Sequence, residues 1–240
     1  MRKLLTKIGG FLGICFLAIT LTGCLQQNTE EITASITEFI TACGNSDYGL
    51  ATGYLADSVL NNKVPLAKDD SGLTWVRLPD MVSEKMPDNQ SASIEVRKYI
   101  GYGLKLTYGD AKVDEIEVNG DHATVLLKGK GTLLHWNTTE DIYEKISSAT
   151  NTEWMSDYEW YTEKIKSKGQ ETVFSDIRNK VTPSVFKNLT EDLNKQEKIN
   201  YIKQVYMVKD KDGKWKIEKV ITHKDDGTNK NWFGEDGESE

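Results

Sequence analysis

The sequence predicts an α+β fold, and three observations carry that expectation. Ile32, Ile36, Phe39, Ile40 and Cys43 recur at spacings of four, three, one and three, which puts them on one helix face. Lys112 to Val118 and Ala123 to Leu134 flank Asn119-Gly120-Asp121-His122, the signature of a β-hairpin. A second pair of alternating runs surrounds Asp210 to Gly213, with Ile199, Tyr201, Val205 and Met207 before it and Trp215, Ile217, Lys219 and Ile221 after it.

Ahead of this domain, Arg2, Lys3 and Lys7 precede an apolar run from Ile8 to Leu21, the layout of a secretory signal. The run closes at Gln26, Gln27 and Asn28, short of the roughly 20 apolar residues a spanning helix needs. It ends in Leu21-Thr22-Gly23-Cys24, which resembles the lipobox of bacterial lipoproteins. That resemblance implies a signal peptide over 1–23, cleavage before Cys24 and diacylglycerol on its sulfur. Two acyl chains at about 0.8 kcal/mol per buried methylene anchor stably where one does not. The expected location is the extracytoplasmic face of the cell membrane, with residues 24–31 as a lipidated tether.

Cleavage removes three of the 30 basic residues and none of the 37 acidic ones, leaving 217 residues of net charge −10. So acidic a chain is repelled by nucleic acid and by anionic headgroups, so no nucleic-acid partner is expected and attachment falls to the lipid. With Cys15 in the signal and Cys24 acylated, Cys43 has no disulfide partner, and its place on an apolar stripe reads as a small buried hydrophobe.

In chain order, Gly44 suits a helix stop, and Asn45, Ser46 and Asp47 can cap a second helix whose buried side is Leu50, Ala51, Tyr54 and Leu55. From Ala56 to Gln90, three prolines and Asp69-Asp70 break every period, with one short strand expected at Trp75, Val76 and Leu78. Ser91 to Tyr108 carries both signals. Val96, Ile100 and Gly103 suit a helix and Tyr102, Leu104, Leu106 and Tyr108 a strand, and Gly101 and Gly103 favour a helix giving way to a strand. In the first hairpin Ile116, Val118, Ala123, Val125 and Leu127 should face inward, and Gly129 and Gly131 on that face suggest a bend or close approach. Beyond Trp136 the chain turns helical, with capping boxes expected at Thr138/Asp141 and Thr150/Glu153, a stop at Gly169 and further helical starts near Thr182-Pro183 and Thr190. Residues 226–240 form an acidic, glycine-rich tail expected to be disordered.

Asp47-Tyr48, Ala51 and Tyr54-Leu55 in a helical hairpin, the antiparallel hairpin of Lys112 to Leu127, and the closing Asp212-Gly213-Lys214-Trp215-Lys216-Ile217 together resemble the NTF2-like (cystatin-like) domains of secreted bacterial lipoproteins. The resemblance implies a cone over 32–225: N-terminal helices packed on a strongly bent antiparallel sheet, with a concavity that often holds a small ligand. Residues 56–90 and 138–194 depart from that pattern as insertions, the second helical. Fold alone does not name a function.

No histidine or cysteine pair has metal-ligand spacing, so no metal or cofactor is expected. The ketosteroid-isomerase and polyketide-cyclase branches that the resemblance brings in need a buried carboxylate or histidine. Only His135 could face the cone, and only if the register of the preceding strand holds through the two glycines; otherwise it is a strand-end residue. Trp154, Tyr158, Trp160 and Tyr161 form the most distinctive chemical set. Core packing accounts for Trp154, Tyr158 and Tyr161 and leaves Trp160 on another face, whereas a ligand or partner surface would use all four. The expectation is a lipid-anchored, non-enzymatic module binding a small ligand or another envelope protein. A small-molecule enzyme using the same cone is the alternative.

Overall fold

A computed structural model describes residues 26–227, which are α+β. The signal segment, Cys24 and the tail beyond Gly227 lie outside them. The first helix, α1, occupies residues 26–44 and buries Ile32, Ile36, Phe39, Ala42 and Cys43 completely, as the spacing requires. Residues 26–31, expected as a tether, continue this helix, because Gln26 and Gln27 bond Glu30 and Glu31 one turn on and Asn28 accepts from Lys209 Nζ at 2.9 Å. Ser46 takes a positive φ of 59° at the turn, and the Asp47 carboxylate accepts from Leu50 N to cap α2 (Tyr48–Thr52). Ala51 and Leu55 are buried, but Leu50 is 50% exposed, since α2 is too short to bury more than one side.

After Leu55 and α3 (Asp57–Leu60), the excursion contains two 3₁₀ turns, Leu66–Lys68 and Thr74–Arg77, and α4 (Leu78–Lys85). The strand expected at Trp75, Val76 and Leu78 is therefore helical turn. Pro79 lacks an N–H and holds φ near the helical value, which suits the first turn of α4. Helix α5 (Gln90–Tyr108) is continuous for 19 residues, so the expected switch to a strand does not occur. Its glycines serve close approach instead. A Cβ on Gly101 would stand 2.2 Å from the Ser46 carbonyl oxygen, so α5 can seat against the α1–α2 turn only with glycine there.

The sheet is open, antiparallel and ordered β1 (Lys112–Asn119), β2 (His122–Thr132), β3 (Lys198–Lys209), β4 (Trp215–Lys224). Gly120, at φ 62°, supplies the left-handed residue of the first hairpin. Pairing runs from His122↔Val208 to Thr132↔Lys198, although residues 133–197 intervene between the two strands. Glu218 is the extra residue where the β3–β4 register shifts, a bulge that bends the strand. Leu55 adds a parallel bridge to Ile217, tying the segment after α2 to the last strand.

Between β2 and β3 stands an arm of α6 (Thr139–Ser156), α7 (Tyr158–Lys168) and α8 (Gln170–Leu193). The Thr138/Asp141 capping box forms, with bonds in both directions. Thr150 lies inside α6, where its hydroxyl donates to the Ile146 carbonyl, so it caps nothing. Thr182, Pro183 and Thr190 likewise sit within α8 rather than at helix starts. One large core joins α1, α4, α5 and the sheet, and a small second one in the arm contains Tyr161, Val173 and Ile177.

Candidate functional site: a buried lysine on the inner face of the sheet

Strand β3 alternates Ile199, Tyr201, Lys203, Val205 and Met207 on the face that meets α1 and α5, and the register pairs these with Gly131, Gly129, Leu127, Val125 and Ala123 of β2. One charged residue therefore stands in an apolar column. Lys203 is only 4% exposed, and among the described residues it makes no ion pair. Its Nζ donates to Thr222 Oγ1 across the β3–β4 ladder at 2.7 Å and lies 4.7 and 4.9 Å from the ring centres of Tyr201 and Tyr108. Burial disfavours the charged amine and brings its pKa down to about 8, opposed only weakly by the nearby Cys43.

The surrounding titratable groups move the other way. Burial pushes the hydroxyls of Tyr108 and Tyr201 and the Cys43 thiol above their ordinary ranges, so all three stay neutral at physiological pH. Cys43 is thus the buried small hydrophobe its stripe implies. Gly129 and Gly131 are open because the Tyr201 ring fills the space above them, with its hydroxyl 2.6 Å from where a Gly129 Cβ would stand. Among the described residues that buried hydroxyl has no hydrogen-bond partner, and neither has Thr132 Oγ1.

Lys203, Thr222, Tyr108 and Tyr201 line a cavity of about 100 Å³ between the sheet, α5 and the segment carrying Trp75. Trp75, Leu104, Tyr108 and Trp136 supply its apolar wall; exposed Gly72, Leu133 and Thr222 mark its mouth. The site thus combines an apolar, aromatic wall with one buried cation.

His135 is not part of it. Leu134 and Trp136 line the cavity, whereas His135 is exposed in the loop after β2. Its peptide group is clamped by Gln196, which accepts from His135 N at 2.8 Å and donates to His135 O at 3.1 Å. Strand β2 ends at Thr132, so the inward register never reaches it.

Trp154, Tyr158, Trp160 and Tyr161 do come together, at the tip of the arm and apart from His135. Trp154 stacks on Phe174 at 5.0 Å and meets the edge of Tyr158 at 5.3 Å. Tyr161 is buried and donates to Glu153 Oε1 at 2.7 Å. Tyr158 is 53% exposed, contrary to core packing, because the chain breaks between α6 and α7 at Asp157 and carries it off the buried face. Trp160 is 49% exposed beneath Lys164 Nζ.

Lys203, Tyr201, Tyr108 and Thr222 were missed by sequence reasoning as site residues. The signal was present: Lys203 interrupts the alternation of Tyr201 and Val205 at an inward position. Comparison of the chain with protein-family models, curated proteins and solved structures returns no match.

Proposed function

We propose that this chain is a lipid-anchored envelope protein whose NTF2-like domain is a binding module, with the cavity beside Lys203 as its ligand site. The observation that carries the binding reading is a buried amine, paired with no acid among the described residues, in the wall of a cavity otherwise largely apolar. A buried charge without a partner is costly, and a ligand that supplies one offsets that cost. The cone reading draws support from α1 and α5 packed on one face of a bulged antiparallel sheet and from the Leu55–Ile217 bridge. The arm between β2 and β3 departs from the minimal pattern.

Lipidation at Cys24 rests on Leu21-Thr22-Gly23-Cys24. With α1 already helical at residue 26, a lipid on Cys24 would hold the domain within a few ångströms of the headgroups. The enzymatic alternative would have to run on the Lys203 amine, since among the described residues the cavity wall holds neither carboxylate nor imidazole.

A thermal-shift titration of the full chain with small neutral probes, propionamide and n-propanol, tests the ligand site. Saturable stabilisation that disappears in Leu104→Phe, which fills the cavity, is the expected result. A shift unchanged in Leu104→Phe, or no saturable shift with either neutral probe or with propionate, would remove the cavity as the site.

A further inference from the structure

We infer that the cavity beside Lys203 takes a compact carboxylate, one oxygen meeting Lys203 Nζ and its short alkyl body lying against Trp75, Leu104 and Trp136. The inference rests on the reading of this cavity as a ligand site and adds the ligand's charge and size.

The Lys203 ammonium has three N–H donors, of which Thr222 takes one. The rings of Tyr108 and Tyr201 attract a cation but carry no net charge, so they cannot neutralise it. Among the described residues packed around the amine, the titratable groups are Cys43 of α1, Tyr108 of α5 and Tyr201 of β3, with Asp110 bearing on Tyr201 rather than on the lysine. Burial holds all three neutral, so the described residues offer no counter-charge there. A buried cation lacking an anion is unfavourable, and a charge-assisted bond to a carboxylate answers it directly.

Size and lining narrow the class. A cavity of about 100 Å³ holds roughly three waters' worth of volume, enough for a monocarboxylate of two to four carbons and too little for a ring with a side chain. The wall beyond the lysine and hydroxyls is aromatic and aliphatic, which favours a carboxylate with an alkyl end over an inorganic anion. Exposed Gly72, Leu133 and Thr222 at the mouth give such a ligand a way in.

The test is a thermal-shift titration of the full chain with sodium propionate, propionamide and inorganic phosphate at constant ionic strength. Propionate should stabilise saturably and more strongly than either control. Lys203→Met should weaken it at least about 30-fold, the effect of truncating one partner of a buried charge pair. Raising the pH from 7 to 9.5 should weaken it at least about tenfold as Lys203 loses its proton. Propionamide binding as tightly as propionate, or Lys203→Met keeping full propionate affinity, would overturn the carboxylate while leaving the cavity as a ligand site. Phosphate binding more tightly than propionate would overturn the alkyl end. No saturable shift with any of the three would overturn both readings.

Discussion

Lys203 is the residue at which this fold gives up stability. Its pKa falls from the ordinary 10.5 to about 8, and at roughly 1.4 kcal/mol per unit the buried charge costs on the order of 3 kcal/mol at neutral pH. The sign follows from linkage. A folded pKa below the unfolded one means that between about pH 8 and 10.5 the unfolded chain holds a proton the folded chain has lost, so this residue's contribution rises with pH across that window. Lys203→Met keeps the volume and removes the charge. Denaturant unfolding at pH 7 should find the variant more stable by roughly 2–3 kcal/mol, with the advantage shrinking as the pH approaches 10.5. A variant less stable than the parent at pH 7 would mean that the amine has a partner that offsets its burial. The residue was legible only in part. Alternation placed it inward, but an inward lysine contradicts the apolar pattern, and the pattern alone suggests an error rather than a site.

At the scale of elements, the clearest sequence signals were those in which local chemistry and packing agree. The α1 stripe, the Asn119-Gly120 hairpin, the Thr138/Asp141 box and the Gly169 stop all stand where the residues place them. Helix α5 was obscured because Gly101 and Gly103, weak helix formers on propensity, are required by contacts with the Ser46 carbonyl and the Trp136 ring that only the folded chain reveals. Packing overrides propensity there. The arm shows the same competition, since Pro183 sits inside α8 and the aromatic set divides at Asp157. That division makes a prediction. Tyr161→Ala should cost about 3 kcal/mol and loosen α7 against α8, seen as lost hydrogen-exchange protection in the arm. Trp160→Ala should change stability by less than about 1 kcal/mol, leaving its exposed ring available to a partner. A large loss from Trp160→Ala would place that ring in the packing of the arm.

For the whole molecule, the proposed function divides the work between an acidic domain and a lipid anchor. A mature chain of net charge −10 gains nothing from anionic headgroups, so the reading assigns membrane attachment to Cys24. Cys24→Ala should therefore move the protein from the membrane fraction to the soluble fraction in salt-independent fashion. Retention of the variant on membranes would point to another attachment. The α+β class, both hairpins and the helical insertion were legible because each is written in local periodicity. The cavity was not, because it depends on how Tyr201 fills the space over Gly129 and Gly131 and on where the 56–90 excursion sets Gly72 at the mouth and Trp75 in the wall.

The central claim is that a lone buried ammonium awaits an anion, and NMR titration of the Lys203 side chain reads it directly. With lysine carbons labelled, the Lys203 Cε resonance of the ligand-free protein should titrate near pH 8, and saturating propionate should move that midpoint upward. A midpoint at the ordinary lysine value of about 10.4, unmoved by propionate, would contradict it.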